Sequence, residues 1–308
     1  MNHAHLRAFH AVAQHGSFTR AALALRLTQP TLSGQVKEIQ ARYGVRIFER
    51  HGRGVRLTDA GRALHAVTQR LFALTAEAEQ VLAATGSMEF GQLRLSADAP
   101  HHVVPALAAF NRKHPRVRLS LAMGNTAQVL QQVLDRVSDV GILADVRADR
   151  RLVTLALRRD RLVLMVDRAH AWSRRRAMDI GALDGSRLVL REPGSRTRAI
   201  FEAALERRGI VPREVIEIST REGVREAVAA GLGVGVVFAS EFSADARVGA
   251  VNLRGASLDS TEYLICLADR RTLPLVNAFF ELAEAQGLGS GSASDTPSKP
   301  RLDRRGTS

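Results

Sequence analysis

Thr28-Gln29-Pro30-Thr31-Leu32-Ser33-Gly34-Gln35-Val36-Lys37-Glu38-Ile39 reads as a helix with two unlike faces. It starts after Thr28, with Pro30 in the first turn, where a missing N–H costs little. Leu32, Val36, Ile39 and Tyr43 recur at helical spacing and form one stripe to be buried. The opposite face carries Pro30, Thr31, Gly34, Lys37 and Glu38, small or hydrogen-bonding residues that let a helix lie close to base edges in a DNA major groove. Upstream, Leu6, Phe9, Val12 and Ala13 mark a first helix stopped by Gly16, and Ser17 is an N-cap for a short helix holding Ala21, Ala22 and Leu25. Downstream, Val45–Phe48 and Val55–Leu57 flank Glu49-Arg50-His51-Gly52-Arg53-Gly54. Two short strands around that turn make a wing, with Arg50, Arg53 and Arg56 placed to meet phosphates or the minor groove. A small helical domain with merely solvated arginines is the alternative, and the order of the elements argues against it.

Charge supports the same reading. The 308 residues carry a net charge of +13, which calls for a polyanionic partner, either nucleic acid or an anionic membrane surface. Residues 1–56 hold nine basic and two acidic side chains, so the positive density is concentrated there. Hydrophobic residues at 45% and charged residues at 24% are ordinary for a globular chain, and the length favours two domains. The single cysteine, Cys266, allows no internal disulfide and no thiolate metal cluster. No apolar run reaches the roughly 18 residues of a membrane span, and Met1-Asn2-His3-Ala4-His5 does not open an export signal. A soluble, cytoplasmic, nucleoid-associated protein is expected.

Phe9-x-Ala11-Val12-Ala13, Gly16-Ser17-Phe18-Thr19-Arg20-Ala21-Ala22 and Leu27-Thr28-Gln29-Pro30-Thr31-Leu32-Ser33 resemble the LysR-type transcriptional regulators. Gly44-Val45-x-Ile47-Phe48-Glu49-Arg50 and Arg56-Leu57-Thr58-x-Ala60-Gly61 continue the resemblance without a gap. It implies a winged helix-turn-helix with residues 18–37 as the two-helix motif, and Gln29, Thr31, Ser33 and Arg53 at the family's contact positions. Together with the charge, the expected DNA-binding set is Thr28, Gln29, Pro30, Thr31, Ser33, Lys37, Arg50, Arg53 and Arg56. Position 34, commonly arginine in the family, is Gly34 here, so one base or phosphate contact is expected to be missing.

Thr58 can cap a long helix, with Asp59 near its positive end. Leu57, Ala60, Leu64, Val67, Leu71, Leu74, Ala78 and Val81 then alternate in the pattern of a heptad seam, ending near Gly86. A helix of about 27 residues spans roughly 40 Å, more than a compact neighbour covers, so the seam predicts a coiled-coil dimer. Dimerisation through this helix is also the family's habit, and it predicts an operator of inverted repeats. Further pairing into a tetramer and contact with RNA polymerase are expected partners.

From Gly91 the pattern alternates strands and helices, which means a mainly parallel sheet covered by helices. Strands are expected at Leu93–Ala97, Val117–Ala122, Val140–Leu143, Leu162–Asp167, Leu188–Leu190, Val215–Ser219, Val234–Phe238 and Tyr263–Ala268. Helices are expected near 102–113, 126–136, 196–208, 221–230 and 273–286. Arg191-Glu192-Pro193-Gly194-Ser195-x-Thr197-Arg198 and Ala227–Val234 look like the effector-binding half of LysR regulators. The resemblance implies two α/β subdomains around a cleft, related to periplasmic solute-binding proteins. The expected division is 1–58 for the DNA-binding domain, 59–90 for the linker helix and 91–288 for the effector domain. Within the last, one subdomain takes 91–161 and 266–288 and the other 162–265, and 289–308 is expected to be a disordered tail.

Sheets of this kind bind ligands at the carboxyl ends of strands, beside helix N-termini. Asp98 to His102, with His101 between them, then Asn125 and Thr126, and Ser195, Arg196, Thr197 and Arg198 occupy three such turns. Helix N-termini and arginines suit anions, so a small carboxylate, phosphate, sulfate or phosphonate is the expected effector. Capping by Ser195 and Thr197, with solvated arginines, is the plainer alternative. His101-His102 lacks a third ligand for a metal, Cys266 reads as core, and no cofactor is expected. Gly231-Leu232-Gly233-Val234-Gly235 follows a helix and precedes a strand, the reverse of a dinucleotide fingerprint. Two other functions stay open: a non-specific architectural DNA-binding protein, which leaves 91–288 without a purpose, and an α/β enzyme with a basic module. For the enzyme there is no nucleophile elbow, P-loop, metal pair or spaced acid–base couple.

Overall fold

A computed structural model describes residues 2–52, 54–84, 91–242 and 245–285. The N-terminal module packs α1 (His3–His15), α2 (Phe18–Leu25) and α3 (Gln29–Tyr43) against a hairpin of β1 (Phe48–His51) and β2 (Gly54–Leu57). Ser17 and Thr28 accept from the third backbone N–H beyond each, and Gly16 and Gly44 close helices in the left-handed conformation. Phe9, Val12, Ala21, Leu32, Val36, Ile39 and Ile47 form the core. The hairpin is shifted from expectation: Val45–Ile47 is not strand, because Ile47 turns into the core and its carbonyl accepts from Thr58 N at 3.2 Å. Glu49, Arg50 and His51 are therefore paired strand residues, with His51 opposite Gly54.

Helix α4 (Asp59–Ala84) begins where Thr58 Oγ1 accepts from Gly61 N at 3.1 Å. Its expected apolar seam divides. Leu57 and Leu64 pack against the N-terminal core, whereas Val67 and Leu74 stand 52% and 47% exposed on the single chain. Val81 lies on the helix, but its side chain is outside the described residues.

The rest of the chain continues as β3 (Gly91–Ala97), α5 (Pro100–Lys113), β4 (Val117–Met123), α6 (Thr126–Leu134) and β5 (Val140–Ala144). After these come β6 (Leu152–Asp167), β7 (Ala177–Asp179), β8 (Arg187–Leu190), α7 (Arg196–Arg207), β9 (Glu214–Glu217) and α8 (Arg221–Ala229). Strands β10 (Val234–Phe238), β11 (Val248–Arg254) and β12 (Asp259–Leu267) and helix α9 (Pro274–Ala285) complete it. Two sheets share β6. Its first part pairs with β12 up to Arg161, and its second part, from Leu162, pairs with β10 and β11. The strands beside the cleft, β3 to β5 and β8 to β10, are parallel to their neighbours, but β6 and β12 run antiparallel through the middle. The sheet is thus mixed rather than mainly parallel.

The chain enters the second subdomain along β6 at Arg161–Leu162 and returns at Leu258–Asp259, where Leu162 N donates to Leu258 O at 3.0 Å. The return precedes the expected position 266, because Asp259–Ile265 already pairs with the first subdomain's strands. Phe110, Phe279, Phe280, Leu93 and Leu264 fill the first core, and Phe201, Leu188, Leu164 and Val251 fill the second. Cys266 sits in the first core, and its burial pushes the thiol up to about 11, which leaves it unreactive. The expected tail, 289–308, lies outside the described residues.

Candidate DNA-binding face and effector cleft

The first turn of α3 is exposed at Gln29, Pro30 and Thr31, with Lys37 exposed further along and Ser33 half-buried. Its polar groups satisfy one another locally. The Thr28 and Thr31 hydroxyls meet at 2.7 Å, and Gln29 Nε2 donates to Ser33 Oγ at 2.9 Å. Bonds of this kind, on the surface, can be exchanged for base edges at small net cost. Nothing lies within 4 Å of where a Cβ at Gly34 would stand, so the contact surface has a shallow gap there. On the wing, Arg50 is exposed, while Arg56 donates through Nε to Glu49 Oε1 at 2.6 Å across the hairpin. That exposed pair makes Arg56 a poorer phosphate ligand than the sequence promises. Arg53 lies outside the described residues.

Where α1 meets α4, His10 stacks near His65 and Phe72, with ring centroids 5.3 and 4.9 Å away. His10 Nδ1 lies 3.1 Å from the buried Thr68 hydroxyl, which donates to His65 O. Burial, with the nearby His65, pushes His10 down to about 4, and burial lowers His65 as well. His10 is therefore neutral in the folded protein at pH 6, while in the unfolded chain it takes up a proton below about 6.5. Stability of this junction is complete above about 6.5 and is lost as pH falls toward 4. NMR titration is expected to place the His10 midpoint near 4. A midpoint near the ordinary 6.5 contradicts the packing described here.

In the second domain the three expected turns converge on the cleft, though their side chains are differently employed. Asp98 is 5% exposed and accepts through Oδ2 from Ala144 N at 3.0 Å and Thr126 Oγ1 at 2.9 Å. Burial raises its pKa against the opposing pull of Arg221. Thr126 is thus spent on Asp98. Asn125 closes a capping box with Gln128 and donates across the cleft to Glu192 Oε1 at 3.1 Å. Gly194 permits this approach: its φ is +93°, and a Cβ there would stand 3.2 Å from Asn125 Nδ2. His101 is exposed on α5, and the side chain of His102 is outside the described residues.

The two predicted arginines part company. Arg196 reaches across the cleft, Nε donating to Asp145 Oδ2 at 2.9 Å. Arg198 is held by Glu202, Glu217 and the Arg191 carbonyl, all in its own subdomain. Ser195 and Thr197 are 4% and 5% exposed as whole residues, and their hydroxyls, which are not among the buried oxygens left without a partner, still reach the solvent of the cleft. Ser195 stands at the N-cap of α7 without capping it, so the open first-turn N–H groups and two hydroxyls face an anion-sized need. Arg221 is the residue the sequence reading missed. It opens α8 at the turn after β9, so the strand-to-helix rule that picked out the other three turns, applied once more, finds it. Its Nε donates to Glu241 Oε2 at 2.8 Å, and Nη1 donates to the Asp98 carbonyl of the other subdomain.

Among the described residues, no group of three or more histidine, cysteine or acidic side chains can hold a metal ion, and no helix is long and apolar enough to cross a membrane.

The family description "Bacterial regulatory helix-turn-helix protein, lysR family" matches residues 3–62, and "LysR substrate binding domain" matches residues 87–287. A RuBisCO operon transcriptional regulator of Acidithiobacillus ferrooxidans is 31% identical over 305 residues, covering 96% of each chain. Among solved structures, full-length CbnR complexed with its target DNA superimposes with a TM-score of 0.69 at 22% identity, covering 92% of this chain and 99% of that one. The regulatory domain of Synechocystis CcmR in complex with 2-PG gives a TM-score of 0.59 at 21% identity, over 64% of this chain and 97% of that one.

Proposed function

Since the chain belongs to the LysR family of transcriptional regulators, whose two domain descriptions match residues 3–62 and 87–287, we propose how it meets its operator and its effector. As a family member it is a DNA-binding regulator under the control of a small molecule. Two copies pair through α4, and each lays α3 in one major groove of an inverted repeat, with the wing alongside. The exposed Val67 and Leu74 support this pairing, because an apolar stripe on a long helix otherwise faces water. Leu74→Asp is expected to give a folded monomer that has lost operator binding, measured by light scattering and gel shift. A dimer that survives the change removes α4 from the interface. Assembly into a tetramer, recruitment of RNA polymerase and residence in the cytoplasm complete this reading.

The effector is a small anion taken at the open N-terminus of α7. The observation that carries this is the uncapped end of α7, where Ser195 makes no side-chain cap and Thr197 lines the depression beside Arg191 and Arg221. The 2-PG complex of the similarly folded CcmR domain supports the choice of an anion. The test has two arms. Genomic fragments retained by the purified protein are expected to be a few intergenic inverted repeats. Uniform retention points instead to an architectural role. A thermal-shift panel is expected to separate phosphates and carboxylates from neutral metabolites, and equal shifts for both refute the anionic effector.

A further inference from the structure

Arg221 stands where the closed cleft has to yield to a ligand. Its guanidinium lies beside Arg191, Thr197 and Glu241 in a depression whose apolar wall is Met165, Val224 and Val236. Glu241 is 5% exposed at its side chain and Arg221 is 23% exposed. The guanidinium has five N–H donors, of which the Glu241 carboxylate takes one and the Asp98 carbonyl another. It therefore keeps donors for an incoming anion, in the same depression that Thr197 lines. Arg196, with one bond to Asp145, does not line this depression, and two other arginines near the cleft are bound within their own subdomain. Arg191 is locked to Glu192 by two bonds of 2.8 and 2.9 Å, and Arg198 is bound to two carboxylates.

We propose that Arg221 is the residue that reads the effector's negative charge, together with the Thr197 hydroxyl, and that Glu241 is an internal counter-ion competing with the ligand for it. This rests on the reading of the cleft as an anion site. Competition with a buried carboxylate sets the ligand class. A monoanion merely matches Glu241, whereas a phosphate monoester, carrying close to two charges and three acceptor oxygens, outbids it. The organic part of the ester lies on the apolar wall, so a bare phosphate ion binds more weakly. As the ligand draws the guanidinium over, Arg221 lets go of the Asp98 carbonyl, and one of the ties between the subdomains is released.

Calorimetry on the full-length protein with 2-phosphoglycolate, glycolate and inorganic phosphate tests this. Wild type is expected to bind 2-phosphoglycolate at least tenfold more tightly than the other two. Arg221→Gln is expected to lose tenfold or more in affinity, Arg221→Lys to fall between, and Glu241→Gln to bind severalfold more tightly. Arg198→Gln is expected to match wild type. Unchanged affinity in Arg221→Gln, or a loss in Glu241→Gln as large as that in Arg221→Gln, overturns the proposal while leaving the anion site standing. If wild type takes up none of the three, the anion site itself falls, and the proposal with it. Melting curves show whether each variant is folded, and if Arg221→Gln is not, Arg221→Lys and Glu241→Gln decide the matter.

Discussion

Asp139→Asn is expected to cost about 3–5 kcal/mol of stability, the usual result of removing one partner from a buried ion pair. Asp139 opens toward two guanidiniums at the end of the first sheet remote from the cleft. Its side chain is 1% exposed and accepts from Arg94 Nη2 at 2.8 Å and from Arg94 N at 2.8 Å, while Arg270 Nη1 lies 3.0 Å from Oδ1. Arg270 is itself fully buried. Asparagine keeps the volume but leaves two cations sharing an interior with one fewer anion, and it turns an N–H₂ toward one of them. Against a total stability of about 5–15 kcal/mol, this is enough to shift the urea midpoint well below that of wild type. A loss under about 1 kcal/mol means that water or relaxation compensates the arginines.

Gly61→Ala is the second large effect, and its sign is opposite to what helix propensity suggests. Alanine in place of glycine in a helix ordinarily gains about 1 kcal/mol. Here a Cβ would stand 2.1 Å from the Ile47 carbonyl oxygen and 3.0 Å from Leu57 Cδ2, closer than such atoms approach. The first turn of α4 must then lift off the segment that leads into the wing. A net loss of about 1–3 kcal/mol is expected, the range of overpacked sites, together with a weaker grip on operator DNA because the wing and α4 no longer share a fixed angle. Gel-shift titration beside thermal melting checks both. Unimpaired binding with a raised melting temperature shows that the contact relaxes freely.

Much of the N-terminal module was legible because each helix carries its own signals. Ser17 and Thr28 cap as expected, Gly16 and Gly44 terminate as left-handed residues need to, and the stripe of Leu32, Val36 and Ile39 is buried. The first half of β6 was not legible, since Arg158-Arg159-Asp160-Arg161 reads as a polar loop. Those residues form a strand because β12 supplies their ladder and the hinge leaves their side chains near solvent. Strand β11 and the short β7 were missed for a related reason: they are fixed by pairing with each other and with β6, over long sequence separations. In the cleft the turns were visible but their employment was not. Nothing local to Arg196 or Arg198 says that one will find Asp145 across the gap while the other is captured by Glu217. Ion-pair choice among many arginines is a tertiary matter, and Arg221 owes its position to Asp98, which lies 123 residues away in sequence.

The two crossings between subdomains, stitched by the bond from Leu162 to Leu258, behave as an axle. Sliding or separating the halves would tear β6 out of one of its sheets, so a turn of one subdomain about the shared ribbon is the change that breaks the fewest ladder bonds. A cleft occupant that binds the two settings of that turn unequally shifts the balance between them, whatever its chemistry. A repertoire of effectors can change over evolution while the gear that delivers their message to the DNA stays the same.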